Sequence, residues 1–135
     1  MPISRQDVDT LLAIGEKLYA PGFTPVRAWR GGERRADGSI TVPFPEYDPL
    51  VTDFVGAIST LIGLDTGYSP EQASILLEQP NGIEMATLEQ IRTMLTFFVR
   101  WERFSDGHWG GMIERGYIRR ILDRLAKIAS QMEGA

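Results

Sequence analysis

One segment, residues 87–104, constrains the fold more than any other, because apolar side chains nearly surround the helix that it predicts. Thr87 and Gln90 have the spacing of a capping box, which places a helix start at this point. Two apolar stripes follow at helical spacing, one of Leu88, Ile91, Leu95 and Phe98 and another of Met94, Phe97, Trp101 and Phe104. A helix that is apolar all round is normally buried on every side. We therefore expect this helix at the centre of the domain, the alternative being that one stripe forms a dimer interface.

Capping residues, prolines and glycines predict the helices around this central one. Pro49 after Asp48 and Pro70 after Ser69 have the pattern of a first-turn proline behind a cap residue. Apolar residues then recur at helical spacing until a glycine or proline interrupts them. The predicted helices besides the central one cover about residues 5–19, 49–62, 70–77, 107–115 and 117–129.

A change in amino-acid composition between the first two predicted helices indicates a β-hairpin over about residues 26–43. Residues 26–30 and 40–42 have strand-forming composition and flank Asp37-Gly38, a turn dipeptide. An isolated hairpin is marginal in water, so we expect its apolar side to lie on the helices. That side consists of Trp29, Ile40 and Val42. The predicted fold is mainly α: a compact bundle of about five or six helices with one small β-hairpin packed on it.

Length and composition indicate a single domain spanning residues 1–135 in a reducing compartment. The 135 residues suit one hydrophobic core, and 43% of them are hydrophobic. The absence of cysteine excludes disulfides, thiolate metal sites and cysteine nucleophiles. No run approaches the roughly 18 apolar residues of a membrane span, so we expect a cytoplasmic protein. The net charge of −4 argues against nucleic acid as a partner without excluding it.

The densest group of polar and aromatic residues lies at a helix break, residues 100–109. The candidate binding residues are Glu102, Arg103, Asp106, His108 and Trp109. Carboxylates and an imidazole can exchange protons, and an arginine can hold an anion. A structural interpretation is favoured, because polar residues at a helix break usually serve the break. In that interpretation Asp106 caps the next helix, Arg103 pairs with a carboxylate or caps carbonyls, Glu102 faces solvent or an arginine, and His108 hydrogen-bonds near the first turn.

Sequence motifs give no support for a cofactor, a metal or a catalytic residue. The chain contains no glycine-rich phosphate loop, no His-Glu-x-x-His and no Gly-x-Ser-x-Gly. With one histidine and no cysteine, a catalytic triad or a metal site would have to recruit His108.

Three segments carry a family resemblance: residues 43–47, residues 121–125 and the block Glu-Arg-Phe-Ser-Asp-Gly-His that starts at Glu102. From about Pro43 to Ile128 the sequence resembles a family of small bacterial and phage proteins of unknown function. The resemblance implies a single domain. It brings no established activity, cofactor or substrate.

Two functional hypotheses follow. The first is a non-catalytic interaction or regulatory module that binds a macromolecular partner through the Arg103–Trp109 surface or an apolar stripe, with homodimerisation as one form. Its basis is a surplus of aromatic and arginine residues, which are typical interface anchors, beside little titratable chemistry. The alternative is a small enzyme or a protein that binds a small molecule, such as an anionic ligand, around Glu102–Trp109. That alternative predicts an open cavity lined by these side chains and a shifted pKa of His108.

Overall fold

The computed structural model describes residues 3–132, except for the side chain of Phe104. The helices of this part are α1 (Arg5–Lys17), α2 (Pro49–Ala57), α3 (Pro70–Glu78), α4 (Leu88–Trp101), α5 (His108–Glu114) and α6 (Tyr117–Gln131). A π-helical turn, Ile58–Ile62, extends α2, and a 3₁₀ turn, Glu102–Phe104, follows α4. Strands β1 (Val26–Arg30) and β2 (Phe44–Tyr47) form an antiparallel pair. The mainly α fold with one small hairpin is confirmed.

Local capping accounts for where the long helices begin. The Ser4 hydroxyl accepts the Asp7 N–H and the Asp7 carboxylate accepts the Ser4 N–H, forming a capping box at the start of α1. Thr87 and Gln90 form the same reciprocal pair at the start of α4. Two donors that a helix start leaves without a partner are satisfied each time, so these boundaries follow from residues three apart.

Helix α4 lies at the centre of the domain, as the sequence favoured. Its buried residues are Ile91, Met94, Leu95, Thr96, Phe97 and Phe98. The helix packs against α3, α5 and α6, and the Phe98 ring meets Phe54 of α2 edge-on at 6.0 Å between centroids. The buried apolar side chains form one hydrophobic cluster to which every helix contributes.

The hairpin has the predicted turn but a different second strand. Ala28 faces Glu46 and Arg30 faces Phe44, so β1 pairs with residues 44–47, which lie beyond the second strand that the sequence predicts at residues 40–42. Residues 40–42 are joined to the other arm by an Arg34–Ile40 bridge and by hydrogen bonds of Thr41. Regular pairing stops at Gly31 and Gly32, whose φ angles of +84° and +75° turn the chain in a conformation that favours glycine.

The predicted apolar side of the hairpin does not lie buried on the helices. Trp29 is 56% exposed, Ile40 60% and Val42 74%, and Phe44 in β2 is 50% exposed. The contact with α5 comes instead from Val26 and Tyr47: a Cβ atom at Gly110 would lie 3.0 Å from the Val26 side chain and 3.6 Å from the Tyr47 ring. The expectation was wrong for Ile40 and Val42, which lie beyond Gly31 and project into solvent. Trp29 lies in the ladder, and its indole approaches Gly107 although more than half of the residue is exposed.

Across residues 3–132, no helix is both long and apolar enough to cross a membrane.

Candidate functional site

The candidate block lies where α4 ends and the short α5 begins. The chain leaves α4 through the 3₁₀ turn, in which the Ser105 N–H bonds to the carbonyls of Trp101 and Glu102, each at 3.2 Å. Gly107 then adopts φ +89°, and a Cβ atom there would lie 3.1 Å from the indole of Trp29. Both the backbone conformation and this close approach require glycine at the break.

Glu102 holds the loop together. Its carboxylate accepts the Tyr47 hydroxyl at 2.7 Å, the Gly107 N–H at 3.0 Å and the Trp109 N–H at 2.9 Å. Glu102 therefore caps the start of α5, and the expectations that Asp106 caps it and that Glu102 faces solvent or an arginine were wrong. Asp106 is exposed. The N-cap residue of α5 is Gly107, which has no side chain that could cap the helix.

Tyr47 contributes its hydroxyl to this network as a donor. Burial, followed by the hydrogen bond and charge of Glu102, raises the pKa of Tyr47 above its ordinary value. The phenol consequently stays protonated throughout the physiological range and donates to the carboxylate.

Trp109 is engaged in packing. Its ring lies 5.0 Å from the Tyr47 ring and 6.3 Å from the Phe98 ring, and its indole N–H donates to the Val99 carbonyl at 3.4 Å. Arg103 is exposed and, among the described residues, is absent from the cavity lining. Glu102 and Trp109 thus support the site, whereas Asp106 and His108 line its interior.

An open cavity of about 380 Å³ lies beside this loop, between α3, α4, α5 and the start of α6. Its lining includes Asp106 and His108 from the candidate block. The other lining residues are Ser74, Leu77, Glu78, Phe97, Trp101, Ser105, Gly107, Gly111, Met112, Arg115 and Tyr117. The volume falls at the lower end of the range for small-molecule sites.

His108 lines the cavity, and its surroundings shift the pKa of its imidazole. It is half-buried, and the edge of its ring meets Phe97 at 5.2 Å between centroids. Its Nε2 atom is buried and has no hydrogen-bond partner among the described residues. Burial lowers the pKa of His108, and the positive charge of Arg115 lowers it further. The negative charge of Glu102 and the Phe97 carbonyl raise the pKa and so offset part of this change. The imidazole is therefore neutral at pH 7, with one donor and one acceptor nitrogen.

An unpaired buried nitrogen is a departure from ordinary protein structure. Most buried polar side-chain atoms have a partner, and leaving one without costs about 1–3 kcal/mol. The expected hydrogen bond from His108 near the first turn of α5 is not made by this atom in the described part of the chain. His108 also lines the open cavity, so the unsatisfied nitrogen belongs to a residue of the cavity wall.

Several residues that line the cavity could not be identified from the sequence. Ser74 and Glu78 lie on α3, and Tyr117 begins α6. No local motif marks them, because the cavity exists only once α3 packs on α4 and α5 packs on α6. Arg115 is the last residue of the helix that the sequence predicts over about residues 107–115.

Metal ligation finds no support in the described residues, which contain no group of three or more His, Asp or Glu side chains able to hold an ion.

The fold and the site define a small helical domain with one hairpin and an open cavity beside a neutral imidazole. The chain belongs to the family of unknown function DUF6508, whose model matches residues 3–131. The match confirms the resemblance and extends it to nearly the whole chain. No curated protein and no solved structure is detectably similar to the chain.

Proposed function

We propose that this protein binds a small polar molecule in the cavity between α3, α4 and α5. The observation that carries the proposal is His108, which lines the cavity while its buried Nε2 has no hydrogen-bond partner among the described residues. A few polar groups placed among apolar and aromatic side chains are the usual composition of a small-molecule site.

Binding without a chemical step is the form of the proposal that the site supports. A general base is normally oriented by a second group and aimed at a reacting atom. Glu102 influences His108 electrostatically, but its carboxylate already accepts three hydrogen bonds that maintain the loop. Its position is better explained by support of the cavity wall than by proton transfer.

A screen of soluble polar fragments by amide NMR tests the proposal. We expect bound fragments to shift the signals of Gly107, His108 and Gly111, which line the cavity, while signals of α1, which contributes no residue to the described lining, stay in place. Because binding to the native state alone stabilises it, the same fragments should also raise the melting temperature.

A filled cavity provides the control. Gly111 lines the cavity, and a Cβ atom there would have no neighbour within 4 Å, so Gly111→Leu should occupy the space without a clash. Gly56→Leu is the matched variant, because Gly56 is a helical glycine with equally open surroundings in the exposed part of α2. Fragment binding should be lost in Gly111→Leu and retained in Gly56→Leu. Fragments that bind both variants as they bind wild type would place the site elsewhere and refute the proposal.

We propose as a second candidate function that the hairpin contacts another protein, in the simplest case a second copy of this chain. Its supporting observation is that four large apolar side chains of this short hairpin, Trp29, Ile40, Val42 and Phe44, are each at least half exposed. Exposed apolar surface concentrated in one part of a protein is typical of interaction sites. The four arginines of residues 26–48 are balanced by four acidic residues, so this surface lacks the positive excess that nucleic acid attracts.

Sedimentation velocity over a range of concentrations tests this second candidate. A second copy bound through the hairpin predicts a concentration-dependent dimer that the double variant Trp29→Ser, Phe44→Ser abolishes. Since both side chains are about half exposed, the variant should keep its fold, which circular dichroism verifies. A dimer that survives the double variant would refute the hairpin as the interface.

A further inference from the structure

Charged side chains of both signs line the cavity without an ion-pair partner in the described part of the chain. Glu78 and Asp106 supply carboxylates and Arg115 supplies a guanidinium. Within residues 3–132 none of these three side chains forms a hydrogen bond or an ion pair. All three are exposed, so water solvates their charges in the free protein. A ligand in the cavity therefore meets two carboxylates and one guanidinium.

Arg115 differs in this respect from the arginines that follow it on α6. Arg119 binds Glu16 and Asp123, each at 2.7 Å. Arg120 binds Glu84 at 2.7 Å, and Arg124 donates to the Ala86 carbonyl at 2.8 Å. These three arginines join α6 to other parts of the fold. Arg115 is left for interactions that the fold itself does not supply.

The balance of charge in the cavity restricts the ligand. The neutral His108 adds no charge, so the charged side chains of the lining are two carboxylates and one guanidinium. A phosphate ester carries about −1.5 to −2 charges at pH 7 and would be repelled by both carboxylates. A simple amine would bind the carboxylates but leave Arg115 without a counter-charge. A molecule with one ammonium and one carboxylate complements both groups.

Aromatic and apolar side chains form the remaining surface. The rings of Phe97 and Trp101 are stacked at 5.1 Å with an interplanar angle of 24°, and both residues line the cavity with Leu77 and Met112. Such surfaces pack against flat or apolar bodies, and an aromatic face also attracts a cation.

We infer that the cavity binds a small zwitterion, with its ammonium group toward Glu78 and Asp106, its carboxylate toward Arg115 and an apolar body against Phe97 and Trp101. Free aromatic amino acids are the simplest molecules of this class. The inference rests on the proposed function, in which this cavity is a small-molecule site, and adds the chemical class of the ligand.

Three probes with the same phenyl body test the class: phenylalanine, phenethylamine and 3-phenylpropionate. Phenethylamine lacks the carboxylate and 3-phenylpropionate lacks the ammonium group. Titration of the intact protein, followed by amide NMR, should give phenylalanine an affinity about ten-fold or more above that of either probe, since each lost charge pair costs on the order of 1–2 kcal/mol.

Charge-removing variants assign the two ends. Arg115→Gln should weaken phenylalanine binding about five-fold or more and leave phenethylamine binding as tightly as before or more tightly, because the variant removes a like charge. Asp106→Asn should weaken the binding of phenylalanine and phenethylamine and leave 3-phenylpropionate binding as tightly as before or more tightly, because the variant removes a like charge. Arg35→Gln, on the exposed hairpin tip, is the control and should alter none of the three affinities.

The outcomes separate this inference from the proposed function. If fragments shift the cavity signals but phenylalanine binds no more tightly than phenethylamine or 3-phenylpropionate, the zwitterion class is wrong and the small-molecule site stands. Unchanged phenylalanine affinity in both Arg115→Gln and Asp106→Asn would overturn the class in the same way. If neither the fragments nor the three probes shift the cavity signals, the small-molecule site itself is wrong.

Discussion

The hydroxyl of Tyr47 in β2 donates a 2.7 Å hydrogen bond to the carboxylate of Glu102, a residue 55 positions further along the chain. The same carboxylate accepts the N–H groups of Gly107 and Trp109, on either side of His108. The hairpin is therefore hydrogen-bonded to the cavity wall through this carboxylate, although neither Tyr47 nor Glu102 is among the described lining residues.

Tyr47→Phe should lower the free energy of unfolding by about 1–2 kcal/mol, because it leaves a partly buried carboxylate with one donor fewer. Urea denaturation measures the change. Tyr68→Phe is the matched control, since the Tyr68 hydroxyl makes no hydrogen bond to a described residue while its ring packs on the core and under Arg100. Equal stabilities of the two variants would show that the Tyr47 hydroxyl contributes nothing.

The candidate block could be found from the sequence, but the different roles of its residues could not. The dense run of polar and aromatic residues at a helix break identified Asp106 and His108, which line the cavity. The roles of Glu102 and Trp109 depend on Tyr47, which only tertiary packing brings near. Glu78 was missed for the same reason, because α3 reaches the cavity through long-range contacts.

The fold shows the same contrast between local and distant determinants. Capping boxes join residues three apart, so the starts of α1 and α4 were predictable. The second strand was misplaced because alternation and turn chemistry describe the tip of the hairpin. Its stable ladder instead forms at the base, where Val26 and Tyr47 contact α5.

His108 predicts a loss of stability as the pH falls. Burial lowers its pKa in the folded state below the ordinary value of 6.5, so the unfolded chain takes up the proton first. Stability that is fully present above about pH 6.5 is then lost as the pH falls toward the folded-state pKa, with a slope of at most about 1.4 kcal/mol per pH unit.

Urea denaturation between about pH 7.5 and 5.5 measures this loss. His108→Gln has no imidazole and should give a flatter profile than wild type. The carboxylates with lowered pKa values, Glu16, Asp37 and Glu84, titrate below their ordinary values of 4.5 for glutamate and 3.8 for aspartate and so act at more acidic pH. Identical profiles for wild type and His108→Gln would contradict the prediction.

The Glu84–Arg120 pair should stabilise the packing of α6 at low ionic strength. Arg120 donates to both carboxylate oxygens, at 2.7 and 2.8 Å, and this hydrogen bonding lowers the pKa of Glu84 to about 2. Both side chains are partly exposed and therefore screened, so Glu84→Gln should cost only about 0.5–1 kcal/mol. Because the folded-state pKa is depressed, that stability is present above about pH 4.5 and is lost as the pH falls through about 2.

The effect of salt on stability should differ between the Glu84–Arg120 pair and the weaker Glu89–Arg92 pair. In about 1 M NaCl, where screening acts within about 3 Å, most of the difference between wild type and Glu84→Gln should disappear. Glu89→Gln is the control, because Glu89 is well exposed and lies 3.7 Å from Arg92. It should change stability by less than about 0.3 kcal/mol. A salt-independent loss in Glu84→Gln would attribute its effect to packing instead of charge.

Gly82, between α3 and α4, should be the least replaceable glycine with a negative φ angle. A Cβ atom at this position would overlap the backbone carbonyl of Leu76 and lie 3.2 Å from Gln79. Since a backbone atom cannot move aside as a side-chain end can, Gly82→Ala should lower the free energy of unfolding by about 1–3 kcal/mol. Gly56→Ala has open space and an exposed helical position, and it should raise stability by about 0.5–1 kcal/mol. Thermal and urea unfolding of the two variants measure these opposite changes. A stabilising Gly82→Ala would mean that the connection between α3 and α4 adjusts without cost, which would also weaken the case for a preformed cavity wall at α3.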